Sequence, residues 1–292
     1  MTYPHHMEYG VPAGESVYVE YMRRDGPYSM DSNHWHPFYE IYYLIEGRRT
    51  YFIRDTAYSV EAGDLVLIRR HELHKTMQTG EGAHTRVIAH FDEQLLQSLP
   101  KPEYEWMTDA LAHCQPVIRL PLAARGYVEG HIGRLMEELH SQPAGFMLVL
   151  RQTVLDLALL CARHAQSGGR TEAEASMSLT SPIHRKASEV ARYLNDSFEQ
   201  PVHLHELAAR FYVSPYYLSR VFKEVTGFTI IDYVNLIRIK EAQRLLRETS
   251  LSVTDIAGQV GFGNFSHFGK MFKSITRMSA RQYRSESSQK VR

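Results

Sequence analysis

Two histidines and a glutamate are spaced so that they can act together on one small ligand. They lie in the stretch His34-Trp-His36-Pro-Phe-Tyr-Glu40. Alternate residues of a strand point to the same face of a sheet, so His34 and His36 can converge on one point. Glu40 has the same parity, although Pro37 interrupts the strand pattern. Imidazole and carboxylate groups bind divalent transition metals, and they also hydrogen-bond polar organic ligands. Spacing alone leaves both interpretations open.

A second stretch, Ser214 to Gly227, combines the signals of a well-capped helix with a polar outer face. Ser214 is a favourable N-cap, Pro215 suits the first helical position, and Gly227 ends a helix readily. Apolar residues at three- and four-residue spacing predict the buried face: Leu218, Val221, Phe222 and Val225. The outward-facing residues are Tyr216, Tyr217, Ser219, Arg220 and Lys223. These side chains suit the DNA major groove, and Arg220 is the candidate for a bidentate contact with guanine.

This helix belongs to a unit that occurs twice in the chain. Glu206-Leu207-Ala208 is echoed by Asp255-Ile256-Ala257, and Phe222-Lys223 by Phe272-Lys273. Between the two units, Ile230 to Arg247 has the periodicity of one unbroken helix about 27 Å long. Two recognition helices joined in this way can enter successive turns of a DNA major groove, about 34 Å apart. The repeat therefore predicts two helix-turn-helix units held apart by one rigid helix.

The sequence of about the last hundred residues resembles the AraC/XylS family of bacterial transcription factors. Its most specific part is Asp255-Ile-Ala-Gly-Gln-Val-Gly-Phe262, followed by Phe268, Phe272-Lys273 and Tyr283-Arg284. The resemblance implies base-reading roles for Tyr216, Ser219 and Arg220 in the first unit. In the second unit it implies them for Asn264, Phe265, Ser266, His267 and Lys270. Phe265 has the alternative role of a core residue, and Lys223 and Lys273 are interpreted as phosphate contacts. Arg277 and Ala280 depart from the Gly and Pro that are usual in the final turn.

The N-terminal region, residues 1 to 92, has the pattern of a β domain. Strands are predicted at Ser16–Met22, Tyr39–Ile45, Thr50–Ile53, Asp64–Ile68 and Arg86–Phe91. Two stretches resemble the cupin barrel motifs: the first matches at His34, His36, Glu40 and Gly47, and the second at Gly63 and His74. Arg69 and His71 depart from the second motif. The resemblance adds His74, so the predicted effector-binding residues, and candidate ligands of a divalent transition metal, are His34, His36, Glu40 and His74.

Helical periodicity replaces the β pattern after Pro100. Apolar stripes at Tyr127 to Leu139 and at Phe146 to Cys161 predict an antiparallel helical hairpin. The predicted fold class is α+β, with a cupin-like β-barrel and helical hairpin followed by an all-α domain of two helix-turn-helix units. The predicted domains are an effector-binding and dimerisation domain at 1–165, a flexible linker at 166–181 and a DNA-binding domain at 182–292.

Composition narrows the class of protein further. The two cysteines, Cys114 and Cys161, make no disulfide framework and fit a reducing cytoplasm. We expect no membrane partner and no secretion, because neither an eighteen-residue apolar run nor a cationic leader with an apolar core is present. From Ile183 onward the chain carries 17 Lys and Arg against 10 Asp and Glu, whereas the preceding residues carry 16 against 23. This asymmetry assigns phosphate contact to the C-terminal part.

The combined interpretation is a cytoplasmic, sequence-specific DNA-binding transcription regulator with a small-molecule effector. The family resemblance implies an activator that binds promoter DNA, contacts RNA polymerase, forms a homodimer through its helices and responds to a sugar or related carbon source. No nucleophile elbow, phosphate-cradling glycine loop or Cys–His pairing indicates an enzyme. The alternative is a metal-dependent cupin enzyme or metal sensor carrying a DNA-binding tail.

Overall fold

The computed structural model divides the chain into two compact units, one ending at Pro182 and the other beginning at Ile183. The structure describes residues 3–10, 16–30, 36–79, 82–166 and 181–289. His34 and residues 167–180 of the predicted linker lie outside the described residues. Gln166, assigned to the linker by the sequence, is the last residue of a helix.

Within the described residues, nine strands form two antiparallel sheets in the first unit. They are β1 (His6–Tyr9), β2 (Val17–Arg24), β3 (Tyr39–Glu46), β4 (Arg48–Ile53), β5 (Thr56–Glu61), β6 (Asp64–Ile68), β7 (His74–Gln78), β8 (His84–Phe91) and β9 (Val117–Arg119). The larger sheet has the order β1-β2-β8-β3-β6-β9, and the smaller has the order β5-β4-β7. The β-rich fold class is confirmed, but the described strands form two sheets and not one closed barrel.

The two faces of the larger sheet differ in chemistry, because alternate residues of each strand point to opposite sides. On β8, Val87 and Ala89 belong to the apolar core shared with the helices. Arg86 and His90, of the other parity, line a cavity on the opposite face. A separate apolar cluster joins the larger sheet to the smaller one, with Tyr42 and Tyr51 among its members. One face of the larger sheet therefore packs against the helices, and the other combines apolar packing against the smaller sheet with polar groups that line the cavity.

Among the described residues, four helices cover the apolar face of the larger sheet. They are α1 (Glu93–Gln97), α2 (Lys101–His113), α3 (Leu122–Ser141) and α4 (Phe146–Gln166). Helices α3 and α4 are the two predicted helices of the hairpin, and Val128, Leu135, Leu150 and Leu157 are fully buried in the core. Tyr127 belongs to the predicted apolar stripe of α3, and its side chain is 57 % exposed.

The second unit is entirely helical in its described residues. Its helices are α5 (Pro182–Asp196), α6 (Leu204–Arg210), α7 (Pro215–Thr226), α8 (Ile230–Glu248), α9 (Val253–Gln259), α10 (Phe265–Thr276) and α11 (Ala280–Gln289). The predicted connecting helix is continuous, because α8 runs for 19 residues. Tyr233 and Ile239 on this helix are buried, and Ile237 is half-buried. No helix in the described parts of either unit is both long and apolar enough to cross a membrane.

Candidate functional site

Helix α7 is held at both ends by the groups that the sequence predicts. The Ser214 hydroxyl accepts a hydrogen bond from the Tyr217 N–H at 3.2 Å. At the other end, Gly227 adopts a φ of +77° and its N–H donates to the carbonyl of Lys223. An N-cap of this kind is worth about 1 kcal/mol. Because both ends are fixed, the directions of the outward-facing side chains are fixed as well.

The predicted reading residues of α7 lie on its solvent-facing side. Tyr216 is 79 % exposed, Arg220 and Lys223 are exposed, and Tyr217 and Ser219 are half-buried. The Arg220 Cζ atom lies 6.0 Å from the centroid of the Tyr217 ring. A cation beside an aromatic ring loses some freedom of movement. The buried face is the predicted one: Leu218, Val221, Phe222 and Val225.

Helix α10 presents the second predicted set. Asn264 is its N-cap, and the Asn264 Oδ1 atom accepts a hydrogen bond from the His267 N–H at 3.0 Å. Phe265 is 48 % exposed, and its ring stacks on that of buried Phe268 with centroids 6.1 Å apart. Phe265 therefore combines solvent exposure with contact to the core. Exposed polar side chains occupy the remaining predicted positions: Ser266, His267, Lys270 and Lys273.

The first unit contains a cavity of about 200 Å³ between polar and aromatic side chains of several strands. It is smaller than the pockets of about 300 to 1,000 Å³ that hold drug-sized ligands, so it suits a ligand of one small ring. Its tyrosines, carboxylates, guanidiniums and imidazoles are Tyr18, Tyr28, Tyr42, Tyr51, Glu20, Glu40, Arg49, Arg86, His74, His84 and His90. Glu40 and His74 are predicted site residues, and none of the other nine was predicted.

One end of this cavity is a cluster of imidazoles around a single carboxylate. The Glu40 Oε2 atom lies 3.2 Å from His36 Nε2, 2.9 Å from His90 Nε2 and 3.9 Å from His74 Nε2. Burial by itself raises the pKa of the Glu40 carboxyl, but hydrogen bonds from His36 and His90 outweigh it and hold the pKa well below its usual range. Three of the four predicted residues therefore meet, while His34 lies outside the described residues.

His90 was not predicted as a member of this cluster. His90 alternates with His84 and Arg86 along one strand. On β8 that alternation places the three side chains on the cavity face. The register of β3 with β8 then sets Glu40 opposite His90. The alternation of polar residues along β8 was therefore the sequence signal that could have placed His90 in the cavity.

Backbone carbonyls orient two of the imidazoles. The His36 Nδ1 atom lies 2.9 Å from the Phe38 carbonyl oxygen, and the His74 Nδ1 atom lies 2.9 Å from the Glu72 carbonyl oxygen. A carbonyl only accepts, so each Nδ1 carries the proton and each Nε2 is directed towards Glu40. Metal-binding histidines are commonly held in this way. A protonated imidazole paired with the carboxylate fits the same distances. The donor set therefore fits a divalent metal as well as a hydrogen-bonded network.

The other end of the cavity is cationic. Arg49 is fully buried, and its Nε donates to the Thr76 hydroxyl at 3.1 Å. Its Nη1 donates to the Tyr28 carbonyl at 2.6 Å and to the Gln78 side-chain oxygen at 2.7 Å. Burial, and to a smaller extent the charge of Arg49, lowers the pKa of His84 to about 4. The imidazole of His84 is therefore neutral at pH 7.

Arg86 differs from Arg49 in having a carboxylate partner. The Arg86 Nη1 atom donates to Glu20 Oε2 at 2.9 Å, and both side chains are largely buried. Glu20 and the hydrogen bond to it raise the pKa of the Arg86 guanidinium against the lowering effect of burial. The cavity thus contains one neutralised cation and one that contacts neutral acceptors among the described residues.

Two family profiles match the chain. The profile of the AraC-like ligand binding domain matches residues 16–144, and that of a helix-turn-helix domain matches residues 207–286. This chain belongs to the AraC family of transcription regulators. The predicted function class, a DNA-binding transcription regulator with a ligand-binding domain, is confirmed.

Members of the AraC family align over nearly the whole chain. YisR of Bacillus subtilis is 27 % identical over 260 residues, covering 87 % of this chain and 88 % of that protein. The transcriptional activator RhaS of Klebsiella pneumoniae is 26 % identical, covering 88 % and 89 %. The melibiose operon regulatory protein of Escherichia coli is 24 % identical, covering 94 % and 92 %. The C-terminal domain of AraT from Geobacillus stearothermophilus is 32 % identical over 36 % of this chain and 88 % of that chain, with a TM-score of 0.35.

Proposed function

We propose that this AraC-family regulator is a cytoplasmic, homodimeric activator that binds promoter DNA and responds to a sugar or related small carbon source. The observation that carries the effector part is the small polar and aromatic cavity in the ligand-binding domain. The two capped, outward-facing helices support the DNA part. The family gives no indication of turnover, so we propose a regulator and not an enzyme.

A sugar-sized ligand fits the side chains that line the cavity. The rings of Tyr18, Tyr28 and Tyr51 offer flat apolar surface to the C–H face of a sugar ring. Glu20 and Arg86 can hydrogen-bond hydroxyl groups in both directions, because carboxylates accept and guanidiniums donate. One relative is named as the regulatory protein of the melibiose operon. Another is named as a transcriptional activator, which favours activation here.

Ligand-induced stabilisation of the full-length protein tests the effector assignment. A ligand that binds the folded state raises the midpoint of thermal unfolding, and the stabilisation grows with the logarithm of its concentration relative to Kd. We expect one or more monosaccharides of a panel to do so, and Ile88→Trp, which fills the cavity, to abolish the shift. Ile88→Val leaves the space open and is the matched control. A panel without any stabilising sugar, or a shift that survives in Ile88→Trp, contradicts the assignment.

A homodimer is supported by apolar side chains that the helical hairpin leaves exposed. Leu122 and Tyr127 on α3 are 84 % and 57 % exposed, and Leu148 on α4 is 70 % exposed. A contact between two copies of the chain through these helices would remove the three apolar groups from water. Light scattering behind a sizing column should give twice the chain mass of 33.7 kDa, and Leu148→Glu should give the chain mass. A single 33.7 kDa species of the natural chain at micromolar concentration contradicts the dimer.

Activation requires that the effector bind two arrangements of the protein with different affinity. We expect the effector to increase transcription by purified RNA polymerase from a promoter that the protein binds. A variant with Arg220→Ala should lose the response at that promoter while retaining the thermal shift with effector. Repression under the same conditions contradicts the activator assignment.

A second candidate function, a metal sensor or metal-dependent cupin enzyme, is favoured by one observation. His36, Glu40 and His90 each offer a ligand atom, and these atoms lie within 4.8 Å of one another. When bound there, a divalent transition metal would supply a Lewis acid. Elemental analysis of the purified chain is the test, with His113→Ala, an exposed histidine on α2, as the control for His90→Ala. A stoichiometric metal that is lost only in His90→Ala supports this function, and a metal-free protein that is not stabilised by added Zn²⁺ or Ni²⁺ excludes it.

A further inference from the structure

The cationic end of the cavity contains a buried charge that the protein does not neutralise within its described residues. Arg49 is fully buried, and every acceptor it contacts among these residues is a hydroxyl, an amide oxygen or a backbone carbonyl. Burial of a guanidinium without an opposite charge is unfavourable. Burial is the largest influence on the pKa of Arg49 and lowers it, against the opposite effect of Tyr42 and Tyr51. This end of the cavity favours a negative charge.

Unused polar atoms occur on the same residues. In the described part of the chain, Arg49 Nη2, Tyr42 Oη and His84 Nδ1 are buried and make no hydrogen bond. All three residues line the cavity and are at least nine-tenths buried. Buried polar groups in folded proteins are nearly always hydrogen-bonded, so unused ones call for a partner. Guanidinium and phenol groups donate, and a neutral imidazole can donate from one nitrogen, so the partner is an acceptor.

The remaining charges of the cavity set how much negative charge the partner carries. Arg86 and Glu20 neutralise each other, and the Glu40 carboxylate is held by His36 and His90. Arg49 is thus the single unbalanced cation of the described lining. One negative charge balances it, whereas a phosphate dianion adds a charge close to Glu20 and Glu40.

We propose that the effector carries a carboxylate, which is bound by Arg49 with Tyr42 and His84 as further donors. This rests on the proposed function, because it names the chemical class of the ligand of that same cavity. A ring of monosaccharide size with a carboxylate, a sugar acid, satisfies both the volume and the charge. The carboxylate occupies the Arg49 end, and the ring lies between the tyrosines.

A simple carboxylate tests the site without knowledge of the effector. Sodium acetate is compared with sodium chloride at equal ionic strength, and the thermal midpoint of the full-length protein is measured. Acetate should raise the midpoint above that in chloride in a saturable manner, and Arg49→Met should abolish the difference while Arg49→Lys retains part of it. Arg48→Met is the matched control, because Arg48 is the adjacent residue of β4 and its side chain is exposed. Equal midpoints of the natural chain in acetate and chloride overturn the proposal, even if Arg49→Met does not fold.

Matched sugars separate this inference from the proposed function. Calorimetric titration with D-galacturonate and D-galactose, and with D-glucuronate and D-glucose, compares ligands that differ in one carboxylate. We expect at least one acid to bind about tenfold or more tightly than its neutral counterpart, and Arg49→Met to weaken it at least about thirtyfold. If the neutral sugars bind as tightly as their acids, the proposal of a carboxylate on the effector is wrong, whereas the proposal of a sugar effector is retained. If acetate raises the thermal midpoint through Arg49 and no sugar binds, the proposal of a carboxylate is supported and the proposal of a sugar effector is wrong.

Discussion

The two helix-turn-helix units differ most in how they use two left-handed backbone positions. The two turns share one hydrogen-bond pattern. The Val213 N–H donates to the Ala208 carbonyl at 3.0 Å, and the Phe262 N–H donates to the Ala257 carbonyl at 2.9 Å. Each unit has one left-handed residue in this turn and one after the recognition helix. The first unit has Tyr212 in the turn and Gly227 after the helix, whereas the second has Gly261 and then Arg277.

Only glycine adopts this conformation without steric cost, so each unit has one relaxed and one strained position. Tyr212 has a φ of +55° and is 96 % exposed, so its ring makes little contact that offsets the strain. At Gly261, by contrast, a Cβ atom would overlap the backbone of Glu199. Packing therefore requires glycine at position 261. At position 212 no such contact among the described residues requires the tyrosine that replaces it. A residue that costs stability without packing is a candidate for contact with a partner.

The largest expected effect concerns the two cores. Phe222 and Phe272 are equivalent and fully buried, with edge-on contacts to Tyr233 and Tyr283 at 5.3 and 5.7 Å. Replacement of either by Ala should lower the local free energy of unfolding by about 3 to 5 kcal/mol. Phe222→Ala should cost more, because Tyr233 is buried and Tyr283 is only partly so. Hydrogen exchange of α7 and α10 amides in the full-length protein measures both, and a smaller loss in Phe222→Ala contradicts this ranking.

The turns should respond in opposite directions to changes at their left-handed positions. Gly261→Ala should destabilise the second unit by about 2 kcal/mol, because it combines a strained φ with an overlap with Glu199. Tyr212→Gly should stabilise the first unit by about 1 kcal/mol. Hydrogen exchange again gives the values, with Tyr212→Ala as the control that removes the ring but keeps the strain. Equal effects of Tyr212→Gly and Gly261→Ala would remove the distinction between the turns.

DNA recognition should also differ between equivalent positions. Arg220 on α7 corresponds to Lys270 on α10, and only Arg has the planar fork for a bidentate contact with guanine. Arg220→Ala should cost about 1 to 3 kcal/mol of discrimination at one base pair. Lys273→Ala should weaken binding to all DNA sequences. It should also reduce the slope of the logarithm of the binding constant against the logarithm of salt concentration by about one unit. Fluorescence anisotropy with matched and mismatched operators measures both. Equal loss on both operators for Arg220→Ala contradicts a base-reading role.

The smallest expected effect is at the N-caps. Ser214→Ala and Asn264→Ala should each cost about 1 kcal/mol, since each side chain accepts one backbone hydrogen bond. Asn264→Ser keeps the cap and removes the side-chain amide. If Asn264→Ser restores stability but not DNA affinity, Asn264 reads DNA through its amide. If both are restored, capping is its role.

The helical unit was predictable to within a few residues, and the β unit was less so. Caps, glycine stops and apolar spacing lie within single helices, so Ser214, Gly227 and the continuous α8 follow from local sequence. Strands β2, β3, β4, β6 and β8 were predicted, because they are long runs rich in β-branched and aromatic residues. Strand β9, with three residues in a helical region, forms only because β6 is there to pair with it.

The candidate pocket was predictable in part. His36, Glu40 and His74 follow from motif resemblance, and the structure brings them together. Neither Arg49 nor His90 belongs to a motif. Tyr127 is exposed although it belongs to an apolar stripe, because such a stripe indicates which residues can be buried and not which of them are.

The sequence by itself determined the duplicated helical readers, their capped ends, the helix between them and the division of charge, because these depend on residues that are neighbours along the chain. The tertiary structure alone decided that His90 joins Glu40, and that Arg49 is buried among neutral acceptors beside His84. These contacts join residues that are distant in sequence, and the register between paired strands determines them. A shift of one residue in that register turns each side chain to the other face, and no local pattern specifies which strands become neighbours.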